Sequence, residues 1–234
     1  RIGDDVADAL GITHYEPPLR NVGTGGDAIA GPPGLVAYKY DVEAWRRYGA
    51  DVMVDGETVM VTEKIHGANA RFVYSAASDA MYCGSRTEWK RQDAGNLWWR
   101  VLALTPAVEA WCREHPGDVL YGEVYGHVQD LRYGHGPGGV AFAAFDILRG
   151  GVWVDAWTAR RELEGASVPL VPLLYRGPYD AGLVEGLADG ASVVPGANHV
   201  REGVVVKPEV ERTHAACGRV ALKIVSAAYL ERAA

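Results

Sequence analysis

Apolar and polar positions alternate over short distances, a pattern that predicts many strands with a few helices between them. Strands are predicted at residues 52–54, 58–62, 70–74, 80–85, 119–125, 140–148, 152–156, 203–207 and 219–226, and an extended segment is predicted at residues 166–175. Apolar residues at helical spacing predict helices at residues 4–10, 41–48 (with Asp41 as N-cap), 97–115, 158–164, 179–187 and 227–232. Because the strands follow one another at hairpin spacing rather than in regular βαβ units, we expect an α+β fold built on antiparallel sheets.

One stretch rich in glycine and proline separates the start of the chain from the rest. Residues 23–34, GTGGDAIAGPPG, predict a flexible linker. We therefore expect residues 1–34 to form an N-terminal arm and linker, and residues 35–234 to form one domain. The first residue is Arg1 rather than methionine, and we expect the sequence to be part of a longer chain.

Composition narrows the functional classes by exclusion. A formal net charge of -7 and a pI near 5.5 argue against a protein that coats nucleic acid through general basicity, although a local basic groove stays compatible with them. Three cysteines without CxxC spacing favour a reduced, cytoplasmic protein over a secreted one. No apolar run approaches the roughly 20 residues of a membrane helix, so we expect no membrane partner.

The most distinctive polar stretch is VTEKIHGANARF at residues 61–72. Lys64 stands where one predicted strand ends, and Gly67 leaves room for a backbone or a ligand to approach closely. Taken alone, a lysine beside a glycine is more often a solvated turn residue. Its interpretation therefore depends on the polar positions that follow.

Three residues on the central strands each have two interpretations. Glu123 in LYGEVYG is either an exposed strand residue or a carboxylate directed at a ribose or a metal ion in a cleft. Asp146 in AAFDIL needs a partner because an unpaired buried carboxylate is costly, and backbone amides are the ordinary structural solution. Phe145 is either a core residue or a flat face for a base, an interaction worth about 1–3 kcal/mol per base.

The last two strands each carry a lysine. In REGVVVKP we expect Glu202 at the entry to the strand, where Gly203 lets the backbone bend toward a ligand. Lys207 ends that strand and is either solvated or phosphate-binding. In RVALKIVS, Lys223 lies within an apolar strand, where a lysine is expensive to bury unless an anion meets it. We therefore expect an anionic partner for Lys223.

Arg86 in GSRTEWK follows the end of the strand predicted at residues 80–85. Together these positions place lysines, acids, an arginine and an aromatic residue on strands or at strand ends. The sequence has no plausible Ser-His-Asp order and no GxxxxGK[ST] phosphate loop. Scattered lysines with carboxylates suit a triphosphate and its metal ions, because lysines act as point charges on phosphate and carboxylates hold magnesium.

Six segments occur in a familiar order: EKIHGAN, GSRTEWK, LYGEVYG, AAFDILRGG, REGVVVKP and ALKIVS. They resemble the successive motifs of the covalent nucleotidyltransferases, and more narrowly the RNA ligases of the phage RNA ligase 2 type. The resemblance covers residues 52–226, and its EKIHG form differs from the KxDG form of DNA ligases and capping enzymes. It implies a two-sheet α+β nucleotidyltransferase domain, similar to ATP-grasp folds, with ATP in the cleft between the sheets.

The resemblance implies a lysyl-AMP mechanism that uses ATP and Mg²⁺ or Mn²⁺. Lys64 would take AMP from ATP, pass it to a 5′-phosphate end, and a 3′-hydroxyl would then seal the break and release AMP. Because a lysine is protonated at neutral pH, burial, nearby cations and a metal ion would have to favour the neutral amine. The implied catalytic residues are Lys64, His66, Arg86 and Lys223. The implied nucleotide-binding residues are Glu63, Lys64, Asn69, Glu123, Phe145, Asp146, Glu202, Lys207 and Lys223. The implied metal ligand is Glu202.

Within this set, the resemblance implies that Glu123 holds the ribose and that Phe145 stacks on adenine. Lys207 and Lys223 would contact phosphates, and Arg86 would engage the nucleic-acid end. The implied partners are RNA ends or nicked duplexes that contain RNA, with a 3′-hydroxyl and a 5′-phosphate.

Two features bear on how far the resemblance extends. The family often has Lys-x-Lys in its last motif, whereas Ala221 precedes Leu222 and Lys223 here, which removes one phosphate contact. The opening LGITHYEPP resembles the junction that follows an OB-like module in one subfamily. We therefore expect a further domain outside this chain.

Three other functions stay open at this point. An RNA capping guanylyltransferase shares the fold and the lysine chemistry but uses GTP. A nucleic-acid-binding module could keep the fold without the chemistry, although intact Lys64, Glu202, Lys207 and Lys223 argue against it. A metal-dependent hydrolase is disfavoured because the histidines lack ligand spacing.

Overall fold

The computed structural model describes residues 27–233, which form fourteen strands and six helices. The strands are β1 Ala28–Ile29, β2 Glu43–Ala44, β3 Thr58–Glu63, β4 Ala68–Ser75, β5 Ala80–Gly84, β6 Trp89–Lys90, β7 Val119–Gly126, β8 Val140–Arg149, β9 Val152–Trp153, β10 Leu173–Pro178, β11 Gly203–Pro208, β12 Thr213–His214, β13 Gly218–Arg219 and β14 Leu222–Val225. The helices are α1 Trp45–Val52, α2 Leu97–Leu104, α3 Pro106–Glu114, α4 Ala156–Gly165, α5 Ala181–Gly186 and α6 Ala227–Ala233.

Most strands belong to two sheets of largely antiparallel strands, which confirms the predicted α+β class. The large sheet has the strand order β1-β6-β5-β4-β7-β8-β9, with antiparallel neighbours. The small sheet has the order β10-β3-β11-β14-β2, and its β14–β2 pair is parallel. A separate hairpin pairs β12 with β13.

Each sheet buries its outer face under helices, which leaves the two inner faces to form a cleft. Helices α2, α3 and α4 cover the large sheet around Phe72, Trp111 and Phe142. Helix α1 packs against β14 of the small sheet. Because side chains alternate along β11, Val204 and Val206 join the small-sheet core while Val205 and Lys207 face the cleft.

Two predicted elements near the start of the domain were wrong. Residues 52–54 are not a strand, because Val52 ends α1 and is buried in the small-sheet core. Asp41 does not cap that helix, which begins at Trp45 with Ala44 at the N-cap position and no side-chain cap. The apolar side chains of this segment therefore serve helix packing rather than a strand pair.

The predicted helix at residues 97–115 is two helices, α2 and α3. Pro106 occupies the first turn of α3, and Thr105 before it has φ -129 and ψ 71, outside the helical region. Proline disfavours helical geometry in the residue that precedes it, which explains the break. The apolar spacing continues across the break because both helices pack on the same sheet.

The expected flexible linker is partly ordered. Ala28–Ile29 forms β1 and pairs with β6 at the edge of the large sheet. The predicted helix at residues 4–10 and the rest of residues 1–26 lie outside the described residues. Within residues 27–233, no helix is long and apolar enough to cross a membrane.

Candidate active site

A cavity of about 340 Å³ lies between the inner faces of the two sheets. Both sheets and the segment that precedes α1 contribute to its lining. The predicted site residues that line it are Glu63, Lys64, Asn69, Arg86, Glu123, Phe145, Lys207 and Lys223. The predicted site residues that do not line it are His66, Asp146 and Glu202. The fold therefore gathers at one cleft residues that are up to 160 positions apart in the sequence.

Lys64 lies directly after β3, and its ammonium is held rather than free in solvent. Its Nζ donates to Oε1 of Glu202 at 2.6 Å, and its backbone N–H donates to the carbonyl of Gly203 at 2.9 Å. Its side chain is 24% exposed. Burial raises the pKa of Glu202, but His66 and Lys64 outweigh burial and hold it below the ordinary value. Glu202 is therefore an ionised acceptor for the lysine.

Two glycines allow the backbone around Lys64 to pack closely. A Cβ on Gly67 would lie 2.1 Å from the carbonyl oxygen of Val124 in the large sheet. Gly203 has φ +153, and a Cβ there would lie 2.0 Å from the carbonyl oxygen of Ile224. Gly203 thus lets the chain bend at the entry to β11, as expected, and delivers Glu202 to the lysine.

A β-bulge in β8 directs two successive side chains toward the cleft side of the large sheet. Tyr121 pairs with Asp146 and Gly122 pairs with Ala144, so Phe145 has no partner on β7. Strict alternation would place Phe145 and Asp146 on opposite faces, whereas a bulge re-aims one of them. Phe145 lines the cavity with its ring 4.6 Å from that of Tyr40. It is therefore packed on one side and open to a ligand on the other.

Asp146 is fully buried and is paired by side chains, not by the backbone amides that the structural interpretation suggested. It accepts from Lys207 Nζ at 2.5 Å, from Arg219 Nη1 at 3.2 Å and from the hydroxyl of Tyr40. Burial raises the pKa of Asp146, but Arg219 and Lys207 outweigh burial and hold it below the ordinary value. Both carboxylate oxygens of Asp146 accept hydrogen bonds from protein side chains, and the residue does not line the cavity. The geometry therefore indicates that Asp146 holds its partner side chains in place rather than contacting a nucleotide directly.

The solvated interpretation of Lys207 was wrong. Lys207 is 3% exposed, and its Nζ also donates to the carbonyl oxygen of Phe145 at 3.1 Å. Lys223 lies opposite Val205 in the register and lines the same cavity. Within residues 27–233 Lys223 forms no ion pair, so no acid of the described residues supplies the anion expected for it.

Glu123 and Asn69 are register partners on the floor of the cleft. Burial raises the pKa of Glu123 to about 8, while the positive charge of Lys64 opposes the shift. Oδ1 of Asn69 is buried and has no hydrogen-bond partner among the described residues. A polar ligand in the cavity would satisfy that oxygen.

Two other predicted residues have protein partners. Glu63 is buried, and its carboxylate accepts from Ser192 Oγ at 2.5 Å and from the backbone N–H of Val193 at 2.8 Å. That carboxylate therefore anchors a loop. Arg86 lies at the mouth of the cavity with its side chain 52% exposed and pairs with Asp41 at 3.1 Å. Its guanidinium is accessible to an incoming anion.

The comparison with protein families decides the assignment. Residues 57–225 match the model of the family described as RNA ligase, which is well over half of the chain. The chain belongs to the RNA ligase family. The predicted resemblance is thereby confirmed, and the cavity described above is the candidate active site of an RNA ligase.

Solved structures of RNA ligases share the fold. A mutant of the Naegleria gruberi RNA ligase with ATP and Mn is 26% identical, with a TM-score of 0.75 over 98% of this chain and 67% of that chain. An apo mutant is 25% identical, with a TM-score of 0.71 over 99% of this chain and 68% of that one. A mutant with AMP and Mn is 24% identical and has a TM-score of 0.73. No curated protein matches the chain.

A divalent cation fits beside Glu202 in this RNA ligase. Oε2 of Glu202 is buried without a hydrogen-bond partner among the described residues, although His66 Nδ1 lies 3.4 Å away. Magnesium is commonly held by one or two carboxylates together with substrate phosphates, so one free carboxylate oxygen beside the lysine suits it. In residues 27–233, no group of three or more histidine, cysteine, aspartate or glutamate side chains is arranged around a metal position.

Three residues of the RNA ligase site were missed from the sequence. Tyr40 and Arg219 both bind Asp146, and the guanidinium of Arg219 lies 4.0 Å from the ring centre of Trp153. Asp130 binds His66, with 2.8 Å between Oδ1 and Nε2. Each lies far in sequence from its partner and outside the six motifs. The sequence around each of these three residues therefore gives no indication of a functional role, which becomes visible only through the tertiary contact.

Proposed function

We propose that this RNA ligase is ATP-dependent and works through a lysyl-AMP intermediate on Lys64. The observation that carries the proposal is the placement of Lys64 Nζ, bonded to Glu202 inside a cavity that Phe145 and further cations also line. The presence of ATP and Mn in a matching Naegleria ligase structure supports the choice of nucleotide and metal.

In the first step, Lys64 Nζ attacks the α-phosphorus of ATP. A P–N bond forms, the bond to the leaving pyrophosphate breaks, and the amine loses its proton. Phe145 would offer a flat face to adenine, and the Glu123 carboxyl group, which lines the same cavity, would bind the ribose. Lys223, which has no ionic partner among the described residues, would meet the phosphates.

In the remaining steps, AMP moves from the protein to RNA and is then released. An oxygen of a 5′-phosphate end attacks the α-phosphorus and displaces the lysine. A 3′-hydroxyl then attacks the activated 5′-phosphate and releases AMP. Arg86 lies at the mouth of the cavity, where its exposed guanidinium can exchange Asp41 for the 5′-phosphate.

Glu202 would hold the divalent cation through Oε2. A bound Mg²⁺ or Mn²⁺ supplies charge neutralisation at the α-phosphate. Asp146 would support the cleft indirectly, because it pairs with Arg219 and with Lys207, which lines the cavity.

The finer assignments are part of the same proposal. The substrate would be RNA ends or a nicked duplex containing RNA, and a further domain outside this chain would add RNA-binding surface. We also propose a cytoplasmic location, as the cysteine usage predicts.

Covalent labelling tests the nucleotide step. Wild-type protein incubated with ATP labelled at the α-phosphate and Mg²⁺, then denatured, should retain label. Lys64→Ala should retain none. The control is Lys39→Ala, which alters an exposed lysine that does not line the cavity, and it should label like wild type. Equal label on wild type and Lys64→Ala would contradict the proposal.

Two further readouts separate the alternatives. Label from GTP in preference to ATP would indicate a capping guanylyltransferase. Absence of label with either nucleotide would indicate a relative without chemistry. Joining of nicks that carry RNA or DNA on each side of the break would then identify the preferred substrate.

A further inference from the structure

The β12–β13 hairpin belongs to neither of the two main sheets, yet it brings one side chain up to the cleft. Arg219 on β13 has a side chain that is 12% exposed, and its Nη1 donates to Oδ2 of Asp146 at 3.2 Å. The rest of its guanidinium holds Glu211, with Nε donating to Oε2 at 3.0 Å and Nη2 donating to Oε1. The hairpin therefore places a cation, itself paired with a second carboxylate, against the buried Asp146.

The position of Arg219 is fixed from two sides. At the base of the hairpin, Arg212 donates to both carboxylate oxygens of Glu57, at 3.1 and 2.6 Å, and to the carbonyl oxygen of Val52 at 2.7 Å. At the cleft, the guanidinium of Arg219 lies 4.0 Å from the ring centre of Trp153. The hairpin and the indole ring together hold Arg219 beside Asp146.

The two oxygens of Asp146 are divided among three donors. Oδ1 accepts from Nζ of Lys207 at 2.5 Å, whereas Oδ2 accepts from Arg219 and from the hydroxyl of Tyr40. Burial, together with the charge of Asp146, raises the pKa of Tyr40 well above its ordinary value, so this hydroxyl stays a neutral donor. Lys207 therefore shares the Asp146 charge with one other cation, Arg219.

Lys207 keeps one N–H group for a ligand. An ammonium group has three N–H donors, and two acceptors lie within reach, Oδ1 of Asp146 and the carbonyl oxygen of Phe145 at 3.1 Å. The third N–H has no acceptor among the described residues, and Lys207 lines the cavity. A phosphate oxygen in the cavity would accept from it.

The charges of this cluster balance only when Arg219 is present. Asp146 and Glu211 are two acids, and Lys207 and Arg219 are two cations. Without Arg219, the two acids would face a single cation, and a surplus negative charge would lie beside the cavity. Because buried charges are only weakly screened, that surplus would draw on Lys207 and repel a phosphate.

We propose that Arg219 is a positioning residue for nucleotide binding, which shares Asp146 with Lys207 so that Lys207 can hold a phosphate of the nucleotide. The inference rests on the proposed function, because it needs a nucleotide phosphate at Lys207. Arg219 itself does not line the cavity, so its effect on a ligand passes through Asp146 and Lys207. The result specific to this arrangement is a loss of affinity confined to ligands that carry a phosphate.

Calorimetric titration with AMP and with adenosine, both without a divalent cation, tests the inference. Arg219→Met should weaken AMP binding by about 10-fold, the lower end of what a hydrogen bond to a charged group contributes, and should change adenosine binding by less than about 2-fold. Arg219→Lys keeps the charge and should recover part of the loss. Equal losses for the two ligands would show a merely structural role and would overturn the inference, as would an unchanged affinity for AMP.

Removing the charge of Asp146 as well should restore AMP binding. In the double variant Arg219→Met with Asp146→Asn, Lys207 and Glu211 balance each other, and the new amide keeps an oxygen for Lys207. The affinity for AMP should return to within about 3-fold of wild type, since the two changes act on one charge balance. A double variant that binds AMP as weakly as Arg219→Met would overturn the inference.

The matched control is Arg176→Met. Arg176 donates to both carboxylate oxygens of Glu209, at 2.6 and 2.9 Å, and its guanidinium lies 4.1 Å from the ring centre of Trp157. It thus has the same kinds of partner as Arg219, but it does not bind Asp146 and does not line the cavity. It should leave AMP binding unchanged, and a loss equal to that of Arg219→Met would contradict the inference.

The outcomes separate this inference from the proposed function. Wild type that binds neither AMP nor adenosine would contradict both. Wild type that binds AMP, with no selective loss in Arg219→Met, would contradict the inference alone. Thermal unfolding shows whether each variant is folded, and Arg219→Gln, which keeps N–H donors without the charge, provides the same comparison of ligands if Arg219→Met is unfolded.

Discussion

Replacing Glu123 with glutamine should remove a specific part of the pH dependence of folding. Burial raises the pKa of Glu123 from 4.5 to about 8. The unfolded chain releases this proton near pH 4.5, whereas the folded protein keeps it up to about pH 8. The stability that this group contributes is therefore complete below its unfolded pKa and is lost as the pH rises through the folded value.

The size of this loss follows from the shift. Between the two pKa values, folding stability falls by about 1.4 kcal/mol per pH unit, which amounts to roughly 2 kcal/mol between pH 6 and pH 8. Glu123→Gln has the same shape and no titrating proton. The stability of the variant relative to wild type should therefore rise by that amount over the same range.

Urea unfolding followed by tryptophan fluorescence measures this difference, since the chain contains seven tryptophans. The experiment is done without nucleotide or metal, at a series of pH values from about 5 to about 8, within the window that the two pKa values define. Glu185→Gln, which alters an exposed acid on α5, is the control and should follow wild type. A difference between Glu123→Gln and wild type that stays constant with pH would refute the reasoning.

Three further outcomes are expected from the same structure. Lys207→Met removes one buried partner of the Asp146 carboxylate and should lower the free energy of unfolding by about 3–5 kcal/mol. Combining Lys207→Met with Asp146→Asn should cost less than the sum of the two single changes. Urea unfolding of the two single variants and of the double variant tests both statements. Phe145→Ala should weaken AMP binding by about 1–3 kcal/mol in calorimetry, and unchanged affinity would exclude stacking on this ring. Gly67→Ala should lower the free energy of unfolding by about 1–3 kcal/mol, because the new Cβ would meet a backbone oxygen. The control is Gly186→Ala, whose Cβ would meet no atom within 4 Å, and it should be neutral or slightly stabilising. Equal changes in unfolding free energy for the two variants would contradict this packing.

The sequence carried enough local information to predict the positions where strands end. Lys64 after β3 and Glu202 before β11 were expected from alternation and from the adjacent glycines, and the structure has both there. The α+β class and the RNA ligase family were also predicted correctly. The strand ends and the fold class depend on short-range patterns, because side-chain alternation and glycine conformation are properties of a few consecutive residues. The family was predicted instead from the resemblance of six segments in a fixed order.

Helix boundaries were less accurate where packing competes with local pattern. The apolar spacing at residues 97–115 continues through Pro106, although the chain there forms two helices. At residues 52–54, a short apolar run fits a strand as well as the end of a helix, and burial in the small-sheet core selects the helix. Periodicity reports which side chains are buried, but not against which element they pack.

What the sequence by itself determined is the inventory of chemical groups and their attachment to strand ends. Only the tertiary structure decided which groups meet. The bulge that turns both Phe145 and Asp146 toward the cleft depends on the register of two strands, and register is invisible in one strand alone. The pairing of Asp146 with Arg219 and of His66 with Asp130 brings together residues more than 60 positions apart. For the fully buried Asp146, the partner is selected by the cost of leaving a charge buried and unpaired, which arises only once the sheets have closed on each other.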